Sequence, residues 1–571
     1  MKKKLFTIEY LIYGLILIIG IAFRFINLGS LPLSDVESSI SLHAISMLSG
    51  EKVANFSDQT FLSNIQAILF FLFGNSNFIA RLFPAVVGVL FILIPFLFRN
   101  YVNPKMMIIL SFWIAISPTF ISLSRQVDST ILFLFSIFLF MYFFIKQSVI
   151  PCAVFIVLSI LSGKIFLMFL VPSLISLMYV YLFLNKQNND IYNQLIHLFK
   201  SFQWKKFSLY SSGSYVILST FGFIFPSQLS GIGYGINTYF NSYSLLSVVT
   251  LSDLVRGLFF YEIAAITFGL MGIIFIIRKN QIAGLFLTGM ITFSILQIVS
   301  IPEKTIIMNV IIVMSLMISG SYFVNQFIFI PSQVRTKIIV VTLISLAVLF
   351  FISLAFISMF ANPFQGEQEN TLRIFFIIAG FALIIGAGLL AGWAISWEIA
   401  GKSFLLLSIS YLLIFTISAS VNASGLRYPY QNEILSINPV PLEHDLLVQT
   451  LENYSEWNYG DKKSLNIHIL GEQPPSIYWV LRNFENISYG DVIPLGAKID
   501  AIITNADQNL VQADTFRGQD ILWTSKPAWS SMNANETTQW LLTRRAPQDM
   551  LNQKTNIIWI RNSLFPGTDT Q

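Results

Sequence analysis

The sequence predicts an α-helical polytopic membrane protein with a small C-terminal α/β domain. Three observations predict it: an apolar composition, a series of span-length apolar runs, and a change of composition near residue 421. Hydrophobic residues make up 55% of the 571 residues and charged residues 11%, with a mean hydropathy of +0.70. Soluble domains carry about 25% charged residues. The net charge of +5 is small for this length, and the Lys and Arg residues are scattered at the ends of apolar runs. A nucleic-acid footprint is therefore not indicated. The single cysteine, Cys152, lies inside an apolar run, so no disulfide forms within the chain.

A span needs about 20 apolar residues, because the helix must satisfy its own backbone where water is absent. Such runs cover 8–27, 81–99, 106–123, 129–146, 149–163, 165–184, 208–226, 253–277, 281–300, 305–329, 338–360, 372–396 and 403–421, about thirteen in all. The first follows Lys2-Lys3-Lys4 but is too long for a typical signal-peptide core. It ends in Arg24 and Asn27 rather than a small-residue cleavage site, and reads as an uncleaved span. With the N-terminus in the cytoplasm, alternate loops hold Arg99 and Lys105, Lys146, Lys200 with Lys205 and Lys206, Arg278 and Lys279, Arg335 and Lys337, and Lys402. The opposite loops are poorer in Lys and Arg, as the positive-inside bias requires. An odd number of spans then places the tail outside the cytoplasm, in a multi-pass protein of the plasma (inner) membrane.

The expected organisation is a transmembrane domain over 1–421, with a first outer loop at 28–80 bearing amphipathic helices, and an extracytoplasmic α/β domain over 422–571. Within the tail, 441–457 and 475–484 read as helices, and 465–470 alternates as a strand. Short strands follow near 486–489, 500–504 and 556–560. No glycine-rich phosphate loop follows any of them, so nucleotide binding is not indicated.

The first outer loop opens Ser34-Asp35-Val36-Glu37, followed by Ile40, Ala44, Met47 and Leu48 at helical spacing and then Gly50. That pattern suits a helix on the membrane surface. Ser34-x-x-Glu37 is a capping box, which gives Glu37 a local role. Asp35 is not needed by the cap and is free to point into a cavity. A metal shared by the two acids requires the segment to start in an extended form, because they do not face the same way on a helix. Between the third and fourth runs lie Arg125 and Asp128. Arg125, on the outer side, either snorkels or meets a phosphate; Asp128 either caps the fourth span or faces the same site. Lys164 interrupts an apolar stretch and implies an anchor, a partner or a function. His43, His197, His444 and His468 show no metal-ligand spacing, and His43 pairs with Asp35 only loosely, about two turns away. Tyr234, Tyr239 and Tyr243 either stack on sugar or acyl groups or anchor the loop at the interface.

The order Phe23-Arg24, Leu28-Gly29, Pro32-Leu33-Ser34-Asp35-Val36-Glu37, then Phe70-Phe71-Leu72-Phe73-Gly74, Ala80-Arg81-Leu82-Phe83-Pro84-Ala85, Ser117-Pro118 and Ser124-Arg125 resembles the GT-C superfamily of membrane glycosyltransferases. That superfamily includes protein O-mannosyltransferases and the lipid A aminoarabinose transferase. The tail, with Trp457, Ile477-Tyr478-Trp479-Val480-Leu481-Arg482-Asn483-Phe484, Ile487-Ser488-Tyr489-Gly490 and Ile558-Trp559-Ile560-Arg561, is similar to the flippase-activity-associated bacterial and archaeal branch.

The resemblance implies transfer of a sugar from a polyprenyl-phosphate carrier to a glycan, lipid or protein acceptor at the outer face. It implies Asp35, with Glu37 beside it, as the acid of the first outer loop, and Arg125 and Lys164 as holders of the donor phosphate. Asp128, His43 and Tyr234 are secondary candidates. It leaves a divalent metal open. Two departures stand out: Asp35-Val36-Glu37 replaces an adjacent Asp-Glu pair, and Gln59-Thr60-Phe61-Leu62-Ser63-Asn64 replaces a His-Gly-Pro-like stretch. A non-catalytic homologue, acting in lipid-carrier flipping or as an envelope scaffold, is the alternative.

Overall fold

The computed structural model describes residues 2–50, 57–183, 197–245, 249–327, 335–361, 367–426, 433–435, 439–493, 498–506, 515–544 and 551–565. Every apolar run is helical over most of its length. The helices are α1 (Lys2–Phe25), α2 (Asp35–Ser49), α3 (Thr60–Phe73), α4 (Asn77–Ile92), α5 (Ile94–Phe98), α6 (Pro104–Ile116), α7 (Pro118–Ser124), α8 (Thr130–Ile145), α9 (Val149–Ile160) and α10 (Lys164–Phe183). They continue with α11 (Trp204–Ser219), α12 (Gly231–Asn241), α13 (Leu251–Tyr261), α14 (Ile263–Lys279), α15 (Gln281–Ser300), α16 (Asn309–Phe327), α17 (Arg335–Ala361), α18 (Glu367–Ala394) and α19 (Trp397–Ala423).

Among the described residues, eight helices are long and apolar enough to cross a membrane, or up to ten when each bent pair counts as one span. The runs at 129–146, 149–163 and 208–226 form shorter helices of 16, 12 and 16 residues. The chain is an integral membrane protein of many apolar helices.

Two spans are broken, and the breaks meet. α6 and α7 bend by 59° at Ser117-Pro118, where proline cannot continue the helix ladder. α13 and α14 bend by 85° around Glu262. The buried Glu262 carboxylate accepts from the Ser117 hydroxyl at 2.6 Å and from the Thr119 amide at 3.2 Å. A buried acid thus supplies the acceptor that the freed donors at the first break need. Arg24, fully buried near the end of α1, donates to the carbonyls of Gly20, Ile114 and Ala115 and to Ser124 Oγ, which ties α1 to the α6–α7 break.

The tail folds as α20 (His444–Tyr459), β1 (Asn466–Leu470), α21 (Pro475–Leu481), β2 (Asn486–Gly490), β3 (Ala501–Asn505), β4 (Phe516–Pro527), α22 (Ala534–Thr543) and β5 (Leu551–Arg561). The sheet order is β2-β1-β3-β5-β4. β2, β1 and β3 are parallel; β5 is antiparallel to both β3 and β4. Leu447 and Leu451 of α20 and Ile477 and Leu481 of α21 bury against Ile467, Ile469, Ile503, Ile521, Trp523 and Ile558. β4 and α22 carry no apolar alternation or stripe over Arg517-Gly518-Gln519-Asp520 and Glu536-Thr537-Thr538-Gln539; the local signal for α22 is the capping box of Asn533 and Glu536 at its start.

The domain seats on the first loop through α21. Trp479 packs on Phe70 in a core with Leu33, Ile40, Ala44 and Leu62, and donates its indole N–H to Asn77 Oδ1 at 2.8 Å. Arg482 stacks on Trp479 at 3.9 Å and donates to the Asn75 carbonyl at 2.7 Å; burial lowers its pKa to about 10. Of the α2 face expected to lie on the membrane, Ile40 and Ala44 are buried under α21 and against α3, while Leu48 at its end stays exposed. A second seat joins Arg256 of α13 to the carbonyls of Trp529 and Met532, and Arg544 to Glu433 at 3.0 Å.

Candidate functional site

A cavity of about 800 Å³ opens where the helices meet the α/β domain. That lies within the roughly 300–1,000 Å³ of small-molecule pockets. Its walls come from α2, the 57–59 segment, the α7–α8 turn, the start of α10, α12, residues 303–307 and the paired strands β4 and β5.

Asp35 opens α2 and lines this cavity. Its Oδ1 accepts from the Ser476 hydroxyl and, at 3.3 Å, from the Ser476 amide. Lys164 also lines it, paired with Glu303 at 2.9 Å, with both side chains about a quarter exposed. Lys304, Lys526 and Lys554 complete the cationic lining. Lys526 pairs with Asn552 and Thr524 with Lys554 across β4 and β5, which brings the two lysines onto neighbouring positions of one sheet face. Burial lowers the pKa of Lys526, against the opposing charge of Asp253.

Asp58 joins the site without having been among the expected residues. Its Oδ2 accepts from the Lys164 amide at 3.4 Å and the Thr238 hydroxyl at 3.3 Å. Burial raises its pKa, against the nearby Lys164 charge and these hydrogen bonds. The approach depends on Gly163, which adopts φ +83°; a Cβ there would lie 2.9 Å from both the Asp58 carbonyl oxygen and Oδ2. The available signal was an acid two residues before the start of α3.

Asp128 lines the same cavity. It accepts from the Thr130 amide at 2.6 Å and from Gln59 at 3.4 Å. Burial raises its pKa, hydrogen bonds from Thr130 oppose the rise, and the Asp58 charge adds to it. His43 is buried on α2, lines the cavity, and meets Gln228 at 3.2 Å.

Three expected residues are placed elsewhere. Glu37 forms the predicted capping box and a bidentate pair with Arg81 at 2.7 and 2.8 Å, and accepts from the Val127 amide at 3.0 Å. Its carboxylate is consumed in binding α2 to α4 and to the α7–α8 turn. Arg125 does not hold a position on the cavity wall. Its guanidinium donates to the carbonyls of Phe23, Arg24, Ile26 and Asn27 at 2.8–3.2 Å and so caps the end of α1. A helix end leaves such carbonyls without intrahelical donors, and Arg125 supplies them. Tyr234 is half-buried on α12 and off the cavity; Thr238, one turn on, reaches it. Among the described residues, no three His, Cys, Asp or Glu side chains gather closely enough to hold a metal ion.

A helical bundle broken at two spans, capped by an α/β domain and hollowed at their junction, is a GT-C-like membrane fold. Among solved structures the chain is similar to ArnT from Cupriavidus metallidurans, both in the apo state and bound to undecaprenyl phosphate. Each match has 12% identity and a TM-score of 0.54, over 96% of this chain and 98% of that one. An apo oligosaccharyltransferase from Archaeoglobus fulgidus matches at 12% identity with a TM-score of 0.46, over 87% of this chain and 69% of that one. No family model matches the sequence, and no curated protein matches it. The likeness to ArnT extends over nearly the full length of both chains and shows the fold.

Proposed function

We propose that the protein is a membrane glycosyltransferase that moves a sugar from a polyprenyl-phosphate-linked donor to an acceptor hydroxyl. The observation that carries this reading is one cavity in which the Asp35 carboxylate and the Lys164 and Lys304 ammonium groups share a wall beside the helices. Undecaprenyl phosphate, which ArnT binds in one of the similar structures, has the matching chemistry: an apolar tail suited to lipid and an anionic head at the interface. On this reading the cavity faces the outer side of the plasma membrane and the N-terminus lies in the cytoplasm, an orientation that the positive-inside pattern supports.

In this mechanism Asp35 takes the proton of the acceptor hydroxyl as its oxygen bonds to the sugar C1. The bond between C1 and the phosphate oxygen breaks, and polyprenyl phosphate leaves carrying the electron pair. Lys164 and Lys304 stabilise the charge that grows on the phosphate, in a site shielded by the α/β domain. Glu303 holds the Lys164 ammonium beside the cavity.

The test is transfer of radiolabelled sugar from a panel of undecaprenyl-phosphate-linked hexoses and pentoses to membrane extract by the purified protein. Asp35→Asn is expected to lower kcat about 100-fold or more. Equal activity in that variant would remove Asp35 from the mechanism. Lipid flipping in proteoliposomes without any transfer would overturn the reading.

A further inference from the structure

We infer that Ser476, held by Trp523, is a positioning residue for Asp35, so that the C-terminal α/β domain forms part of the working active site. The inference rests on the glycosyltransferase reading and adds a residue from the opposite end of the chain.

The local sequence fixes Ser476. β1 ends at Leu470, and Gly471 turns the chain with φ +69°. Pro474-Pro475 then restrict the backbone into α21, since each proline ring locks its own φ. Ser476 follows with no exposed surface. Trp523 of β4 donates its indole N–H to Ser476 Oγ at 2.9 Å. An indole donates only, so it occupies a lone pair of the hydroxyl and leaves the hydroxyl proton for another acceptor. That acceptor is Asp35 Oδ1, which also takes the Ser476 amide.

Among the described residues Asp35 Oδ2 takes no hydrogen bond, and Asp35 lines the cavity. One oxygen is held by the domain and the other is left for substrate. The seat is firm on both sides, because Trp479 and Arg482 beside it are bonded to Asn77 and Asn75. Asp35 itself opens α2 directly after the Ser34 cap, so its backbone is equally constrained. A carboxylate held this way meets the acceptor hydroxyl in one orientation, and orientation is worth large factors in rate.

The test uses the full-length protein. Ser476→Ala is expected to lower kcat about 10- to 100-fold with the KM for donor unchanged, and Ser476→Thr to restore most of the rate by returning the hydroxyl. The thermal midpoint of Ser476→Ala is expected to fall by a few degrees, because the buried Trp523 indole N–H loses its acceptor, while the variant stays folded at the assay temperature. A wild-type rate in Ser476→Ala overturns the inference. So does a Thr variant as slow as the Ala variant, or a Ser476→Ala rate that returns to wild type once the assay is run well below its midpoint.

A contact readout is independent of transfer: Asp35→Cys with Ser476→Cys, in a Cys152→Ser background, is expected to cross-link on mild oxidation. Absence of the cross-link overturns the inference. If the paired variant cross-links while the wild-type protein transfers no sugar from any donor, the glycosyltransferase reading is refuted, and with it the catalytic consequence of the Ser476 contact.

Discussion

Replacing Glu37 by Gln separates a structural acid from the acid proposed to be catalytic two residues away. Glu37 and Arg81 are each about 95% buried and joined by two short charge-assisted bonds, at 2.7 and 2.8 Å. The side chain introduced by Glu37→Gln retains an oxygen for the Ser34 amide, so the capping box survives in part. It turns an amide NH₂ towards the Arg81 donors and removes the Glu37 charge from beside that buried guanidinium. Breaking a buried pair by removing one partner costs about 3–5 kcal/mol. At about 2 °C per kcal/mol for a large domain, the thermal midpoint should fall on the order of 6–10 °C. Cys152 is a built-in reporter: it is the chain's sole cysteine and is fully buried, so a thiol-reactive dye registers unfolding directly.

The pH dependence of the same variant follows from the sign of the shift. Burial alone would raise the Glu37 pKa, but the Arg81 charge and the hydrogen bonds from Arg81, Ser34 and Val127 outweigh it and hold it below its ordinary value of 4.5. A depressed carboxylate stabilises the folded state fully above its unfolded pKa and loses that contribution as pH falls through the folded one. The gap between wild type and Glu37→Gln should therefore stay constant from about pH 8 to 5 and close below about 4.5. Adding Arg81→Gln should recover part of the loss, because the uncompensated charge goes with it. An unchanged midpoint combined with lost transfer would refute this assignment and make Glu37 a chemical rather than a structural acid.

Two further perturbations act on the cavity itself. Lys164→Gln removes a cation that faces the cavity from beside Glu303 and should weaken binding of undecaprenyl phosphate, measured by microscale thermophoresis, about 10- to 100-fold; unchanged affinity would place the phosphate elsewhere. Asp58→Asn removes a carboxylate whose pKa burial raises, and such a group weakens the folded state above its folded pKa while favouring it as pH falls. The variant should therefore melt higher than wild type at pH 8, with the advantage shrinking toward pH 4; a lower midpoint at pH 8 would show that the Lys164 and Thr238 contacts dominate instead.

The elements that were legible in the sequence owe their form to local rules. Apolar runs must be helical in a medium without water, and each is. Ser34, Glu37 and Gly50 bracket α2 because caps are made by neighbours in sequence. β1 was legible from its apolar alternation, and β3 because burial on both faces demands an apolar run, as in Ala501-Ile502-Ile503. β4 was not, because its first half is polar and its place is set by register with β5 rather than by its own residues.

The site follows the same division. The place of Asp35 on the cavity wall was legible because it lies just past a span and the cap does not require it. Arg125 was not, because a lone cation on that side of the membrane satisfies either a phosphate or a helix end, and only folding brings the last carbonyls of α1 within 2.8–3.2 Å. Asp58, Ser476, Lys526 and Lys554 belong to the cavity or touch its acid through contacts made only by the folded chain. Asp58 needs a glycine more than 100 residues away to admit it, and Ser476 stands 441 residues from the carboxylate it holds. Ser476 acts through the packing of α21 against α2. Weakening that seat should therefore disturb chemistry before it disturbs the helices, and Trp479, which anchors it between Phe70 and Asn77, is the side chain on which both the domain and the acid depend.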